Sequence, residues 1–251
     1  MSYSIIIQAR TGSKRFPSKI LYKIDHRTVI EYLIDNIAQK FKKKNIIIAT
    51  TKNKRDNKLV KLVKKLKINC FRGSEENVLN RYINCGKKFN VKNVIHITSD
   101  CPLVDTNLIY KMINIFNKKK IDYLANTYPP KKSKFPDGTD IEIYKYKSLV
   151  RLNKLTQKDE DKEHVTNFFW KNPRLFKTMI VNNKKNLSMY KYSLDYKNEL
   201  LLIKKILKKI KLKNLNLNYQ NIVKIIKNDN SIKNISNKNL KKFKLNRKDL
   251  Y

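Results

Sequence analysis

Apolar and polar positions alternate along this chain in blocks that switch between two periods. Residues 3–9, YSIIIQA, carry an unbroken apolar run of the kind found in a strand buried on both faces. At 28–40, TVIEYLIDNIAQK places apolar residues at helical spacing, with Thr28 as the N-cap. NIIIATT at 45–51 reads as a second buried strand, and DNKLVKLVKKL at 56–66 as an amphipathic helix. A short strand at 68–71 precedes a helix predicted to start at Ser74, where Ser-Glu-Glu suits the positive end of a helix dipole. NVIHIT at 93–98 is a third strong strand, followed by the helical pattern TNLIYKMINIFNKK. Strand-helix alternation at this spacing predicts parallel strands joined by right-handed crossovers.

The pattern changes after residue 120. DYLANT reads as a strand, and YPPKKSKFPDGTD as a long turn rich in proline. DIEIYKY alternates like a half-exposed strand, and helices are predicted at 147–156 and 161–171. LFKTMIV and MYKYSL then pair as a hairpin or sheet extension. Beyond Asp195 come two helical patterns, YKNELLLIKKILKKI and NYQNIVKIIKN, and from about 230 a polar Lys/Asn-rich tail. The pattern contains no internal repeat. It predicts one α/β domain over 1–228 with a mixed central sheet, and a tail over 229–251.

Composition adds limits. No apolar run reaches the ~20 residues that span a bilayer, and the first residues lack the layout of a secretory signal. Cys70, Cys85 and Cys101 are odd in number and lack metal-site spacing, so free thiols in a reducing compartment are expected. A cytoplasmic protein without a membrane span is the expectation. The formal charge of +38 invites a nucleic-acid reading. However, only nine of the 58 basic residues are arginine, and the lysines are spread over the whole chain, on helix faces such as KLVKKLK and LLIKKILKKIKLK. Lysine, asparagine and isoleucine share A/T-rich codons, so base composition accounts for the excess and no nucleic-acid partner is called for.

The candidate chemistry lies at strand ends. Ligands of open α/β sheets bind beyond the carboxyl ends of the strands. ARTGSKRFPSK follows the first strand, where Gly12 lets the backbone approach an anion, Ser13 donates, and Arg10, Arg15 and Lys19 supply cations. It matches neither the Walker loop nor the dinucleotide fingerprint. Its alternative is an exposed basic turn. Asp100, in HITSDCPLVD, follows the third strong strand; it is either a turn aspartate or a ligand for Mg²⁺ against a triphosphate. Asp195, in KYSLDYKNEL, is either a helix N-cap or a second such ligand. Asp137, Asp140 and Glu142 lie on the turn and strand of FPDGTDIEI, as sugar-binding or solvent-facing acids. His164, in EHVT, is a sugar-side donor or a structural histidine, and His26 and His96 read as structural.

QARTGSKRFPSK resembles the (P/Q)-A-R-x-G-S-x-R-x-P-x-K signature of the cytidylyltransferases that make CMP-activated sugar acids, such as CMP-Kdo and CMP-acylneuraminate synthetases. FRGSEENVLNRY, ITSDCPL, FPDGTDIEI, EHVT and SLDYKNEL follow in the order and spacing of its spore-coat polysaccharide branch, over about residues 3–228. LDYKNEL lacks the Pro-Glu-Asp usual after the aspartate. The resemblance implies a nucleotide-diphospho-sugar transferase fold, Rossmann-like and GT-A-like, with an inserted dimerisation region and hence a homodimer. It implies that Gln8, Ala9, Arg10, Gly12, Ser13, Arg15 and Lys19 cradle CTP, with Arg72, Gly73 and Ser74 near the base or ribose. It implies that Asp100 and Asp195 hold Mg²⁺, and that a sugar hydroxyl attacks the α-phosphorus to expel pyrophosphate. Arg10, Arg15, Lys19 and Asp100 would carry that catalysis, with Asp140, Glu142 and His164 on the sugar side. Two other readings remain: the same fold with a different nucleotide or acceptor, and a non-catalytic basic protein that binds nucleic acid.

Overall fold

A computed structural model describes residues 2–156 and 158–245. Its centre is β1 (Tyr3–Gln8), whose Ile5, Ile6 and Ile7 are almost fully buried. Burying each such side chain contributes about 1.5–3 kcal/mol. The strand is flanked by parallel neighbours on both sides, β4 (Ile46–Thr51) and β6 (Asn93–Thr98). β5 (Asn69–Gly73) extends the sheet beyond β4. On the other side β8 (Glu142–Lys145) runs antiparallel to β6 and to β7 (Tyr123–Ala125), and β9 (Thr178–Ile180) closes the edge parallel to β7. The seven-stranded order is therefore β5-β4-β1-β6-β8-β7-β9, a mixed sheet as the sequence predicts. A two-stranded ribbon, β2 (Lys23–Ile24) with β3 (Arg27–Thr28), stands apart from it.

Helices cover both faces. On one face α1 (Val29–Ala38), α2 (Asn57–Lys65) and α4 (Thr106–Lys118) bury Ile30, Leu59 and Ile109 against Ile5, Ile7 and Ile48. On the other, α3 (Val78–Lys88), α5 (Tyr146–Leu155) and α7 (Asn167–Lys171) bury Leu79, Leu149 and Phe169 against Ile6, Ile47 and Val94. Successive isoleucines of β1 thus feed opposite layers, which is why its apolar run is unbroken. Thr28 and Glu31 form the reciprocal capping box of α1, with the Thr28 amide donating to the Glu31 carboxylate at 2.7 Å. A third apolar cluster gathers Phe16, Leu103 and Leu194 under α8 (Lys197–Leu212) and α9 (Tyr219–Asn228).

Three expectations are corrected, and the C-terminal segment gains a structure. The helix after Ser74 starts at Val78, because Asn77 caps it by accepting from the Asn80 amide at 2.8 Å, while the Ser74 hydroxyl takes the Asn77 amide. MYKYSL does not pair with 178–180. It makes a single bridge to Asp137, pulled there by the amide of Tyr192 on the Asp137 carbonyl at 2.9 Å. That approach needs Gly138, whose φ of +110° and whose 2.9 Å clearance to the Ser193 nitrogen leave no room for a Cβ. The helix predicted over 161–171 is two, α6 (Asp159–Glu163) and α7, broken at His164–Thr166. The polar tail is folded over 230–245 as α10 (Asn230–Leu245), which packs on α8 and α9. Its inward stripe of Ile232, Ser236 and Asn239 is buried, but contains only one apolar side chain.

Candidate active site

One cleft of about 480 Å³ opens beyond the carboxyl ends of β1 and β6. It is lined by Gln8, Arg10, Ser13, Lys14, Arg15 and Lys19 on the basic side, and by Asp100, Asp137, Asp140, Glu142, His164 and Asp195. The structure thus brings together most of the residues singled out from sequence.

The basic loop is held by groups that carry no charge to the cleft. Asp56, fully buried, accepts from the Thr11 amide at 2.7 Å and the Thr11 hydroxyl at 2.6 Å. Burial alone would raise the Asp56 pKa, but these bonds, with those from Thr50 and Thr51, hold it below its ordinary value. The Ser18 amide closes the loop on the Thr11 carbonyl at 2.8 Å. Within this frame the Arg10 and Arg15 side chains stay about a third exposed. Gly12 packs against the Arg55 guanidinium, and Ala9 is buried with its amide on Ala49.

Lys19 turns inward. Its ammonium lies 2.9 Å from Asp100 Oδ2 and 3.5 Å from Asp195 Oδ1, and donates to the Leu194 carbonyl at 2.6 Å. Burial pushes the Lys19 pKa down, yet Asp100 and Asp195 more than reverse this and leave it above the ordinary lysine value. Both aspartates are held low against burial, Asp100 by Lys19 and Asp195 by Lys191, Lys19 and Arg15. The Leu194 amide on the Asp100 carbonyl, at 2.8 Å, stitches the two strand-end segments together.

The remaining acids have other partners. Asp140 accepts from Thr127 at 2.8 Å and from the Gly138 amide at 2.9 Å, and burial raises its pKa. Burial pushes Asp137 up to about 6, against the opposing pull of Lys191. Glu142 faces His96 Nδ1 at 3.2 Å and accepts from the Tyr123 hydroxyl. Burial would raise it, but His96, Thr166 and Tyr123 hold it below its usual value. His164 is exposed, at the break between α6 and α7.

The structure does not place Arg72, Gly73 and Ser74 in the lining of this cleft. Arg72 braces the turn after β4, donating to the Thr51 and Asn53 carbonyls at 2.9 Å each. Gly73 lies against the Arg81 side chain, and Arg81 bonds the Ser74 carbonyl at 2.5 Å. Sequence reasoning missed Asp56 and Lys191, and read His96, now a cleft wall, as purely structural. Lys191 had one signal: with Ser193 and Asp195 it occupies alternate positions of an extended segment. In a chain this rich in lysine that signal is lost.

As to a metal, the carboxylates of Asp100 and Asp195, beside the cations of the basic loop, are hard oxygen donors of the kind that suits Mg²⁺. Among the described residues no three His, Cys, Asp or Glu side chains gather to hold a metal by themselves. A cation here would complete its shell with substrate phosphates and water.

A basic loop after the central strand, facing the carboxylates of Asp100 and Asp195 at one edge of a mixed sheet, is the arrangement of a nucleotidyltransferase. The cytidylyltransferase family profile matches residues 4–232, and the chain belongs to that family. A solved cytidylyltransferase from Leptospira borgpetersenii superposes with a TM-score of 0.86 at 27% identity, covering 94% of this chain and 98% of that one. The spore coat polysaccharide biosynthesis protein SpsF of Bacillus subtilis is 29% identical over 213 residues, 81% of this chain and 85% of its own. An uncharacterized protein of Methanocaldococcus jannaschii is 37% identical over 172 residues, 68% of each chain. CMP:2-keto-3-deoxy-manno-octonic acid synthetase, solved with CTP, shares the fold at a TM-score of 0.60 and 14% identity, over 83% of this chain and 99% of that one. Among the described residues no helix is long and apolar enough to cross a membrane.

Proposed function

We propose that this cytidylyltransferase transfers CMP from CTP to a sugar acid, releasing pyrophosphate, for surface polysaccharide synthesis. One observation carries the reading: Lys19 links Asp100 and Asp195 at the cleft floor, beside the exposed guanidinium groups of Arg10 and Arg15. The name of the Bacillus subtilis relative and that of the synthetase sharing the fold support the pathway and the acceptor class.

In this mechanism Arg10, Arg15 and Ser13 bind the triphosphate, and Lys19 neutralises charge next to the two carboxylates. Asp100 and Asp195 would hold Mg²⁺, which when bound supplies positive charge to the triphosphate. Asp140, Glu142 and His164 line the same cleft and would orient acceptor hydroxyls. Fixing the acceptor and stabilising charge account for most of the rate. The protein acts as a homodimer in the cytoplasm, a state that light scattering after gel filtration measures.

The test is pyrophosphate release with Mg²⁺, each of the four nucleoside triphosphates and a panel of sugar acids, with Asp100→Ala as control. Turnover with CTP that is lost in the variant supports the reading. Turnover with another nucleotide or a neutral sugar assigns a different reaction to the same site. Absence of nucleotide binding, with steeply salt-dependent RNA binding instead, overturns it.

A further inference from the structure

Lys191 is fully buried and does not line the cleft, yet its ammonium is tied to two acids that do. It lies 3.1 Å from Asp195 Oδ2, 3.7 Å from Asp137 Oδ1 and 3.1 Å from Glu199 Oε1, and it donates to the Ser193 hydroxyl. We propose that Lys191 is a positioning residue: it fixes the Asp195 carboxylate, and through it the Arg15 guanidinium, and α10 in turn fixes Lys191. This rests on the nucleotide-transfer reading above.

The Asp195 carboxylate is clamped from two sides. Oδ1 accepts from Arg15 at 2.6 Å, and Oδ2 accepts from Lys191 at 3.1 Å. Its backbone is held by the other oxygen of an acid that Lys191 also pairs with: Glu199 Oε2 accepts from the amides of Asp195 and Tyr196, while Glu199 Oε1 faces the Lys191 ammonium. Without Lys191 the two amide bonds to Glu199 Oε2 can persist, but Glu199 loses its counter-charge and the Asp195 carboxylate loses the partner that sets its rotation. It is then free to turn towards Lys19, and Arg15 loses a fixed acceptor. Groups behind a site that orient its direct contacts are commonly worth 10–100-fold in function.

Lys191 is itself held from the C-terminal helix. Its amide donates to Ser236 Oγ at 3.2 Å, and the Ser236 hydroxyl donates to the Lys191 carbonyl at 2.8 Å. Ser236 is fully buried. A second tie, Asn198 to Asn239 at 2.8 Å, joins the same helix to the start of α8, three residues after Asp195. Most of α10 lies past residue 232, where the family match ends. The support of the site is therefore supplied in part by a segment outside that match.

A merely structural lysine would give a different result from a positioning one, since a buried ion network can be replaced without loss of the fold in favourable cases. The experiment compares Lys191→Met, Lys191→Arg and Ser236→Ala for kcat, KM for CTP, thermal midpoint and crystal structure. Positioning predicts that kcat of the folded Lys191→Met enzyme falls about 100-fold, by more than KM changes. Lys191→Arg recovers to within about tenfold of wild type, and Ser236→Ala falls by about tenfold. In the Lys191→Met crystal the Asp195–Arg15 contact opens past about 4 Å. Lowered thermal midpoints with wild-type kcat in the folded variants overturn the proposal. If Lys191→Met does not fold, the rate of Ser236→Ala decides, and a wild-type value there is the overturning result. If the wild-type protein transfers no nucleotide to any acceptor, the functional reading fails. The crystal structures then decide the positioning claim alone: an unmoved Asp195–Arg15 pair in either non-conservative variant refutes it.

Discussion

Replacing Lys19 with methionine removes the cation between Asp100 and Asp195 while keeping most of the side-chain volume. At an effective dielectric constant of about 20, opposite charges 2.9 Å apart attract by about 6 kcal/mol. Only 8% of Lys19 remains exposed, and its own desolvation offsets several kcal/mol of that gain. Asp195 retains Arg15 and Lys191, and the Asp100 side chain, 28% exposed, keeps contact with water. The Leu194 carbonyl loses its ammonium donor. The net loss should therefore fall somewhat below that for breaking an isolated buried pair, at about 2–3 kcal/mol. For a chain of this size that lowers the thermal midpoint by about 4–12 °C. Urea unfolding at pH 7, followed by circular dichroism, reads the free energy directly. The same variant should lose at least ~100-fold in cytidylyl transfer, because the cation that neutralises and fixes Asp100 and Asp195 at the cleft is absent. Stability within about 0.5 kcal/mol of wild type would refute the reasoning, since a surface lysine contributes no more than that.

Removing divalent cations with EDTA should abolish pyrophosphate release, and added Mg²⁺ should restore it, as the rate against free Mg²⁺ will show. Asp137 gives a pH signature with a definite sign. Its folded pKa, about 6, lies above its unfolded value, so the folded state binds the extra proton. That contribution is complete below pH ~4 and is lost as pH rises through about 6. Asp137→Asn should flatten this part of the stability curve; unchanged urea midpoints from pH 4 to 7 would contradict it. Burial pushes the Cys85 thiol up to about 12 and also raises Cys101. Iodoacetamide at pH 7.5 should therefore label half-buried Cys70 first and reach the other two only on unfolding, as peptide mass mapping will show.

The order of the central-sheet strands and their covering helices through residue 118 was determined by the sequence alone, because hydrophobic period is a local property; the short ribbon of β2 and β3 was not. Ile5, Ile6 and Ile7 could form only a strand with two covered faces, and Thr28 marked the start of α1. The basic loop and Asp100 were also legible, since strand ends in such sheets point to one edge; Asp195 reaches that edge from a segment that joins no strand of the sheet. What stayed hidden depends on distant pairings. Glu75 and Glu76 looked like a helix start, but Asn77 caps that helix and Glu75 sits beside Arg10 and Arg55. The segment 189–194 alternates like a strand, yet its partner is the turn at Asp137. Residues 230–245 read only as a polar Lys/Asn-rich tail because hydropathy weighs Ser236 and Asn239 as polar. Folded, both are buried and hydrogen-bonded to the site-bearing segment. The sequence placed charges along the chain; the tertiary structure alone decided which of them are counter-charges to one another. It set Lys19 between Asp100 and Asp195 and buried Lys191 behind them, because the electrostatic partner of a buried ion is chosen by distance in space and not by position along the chain.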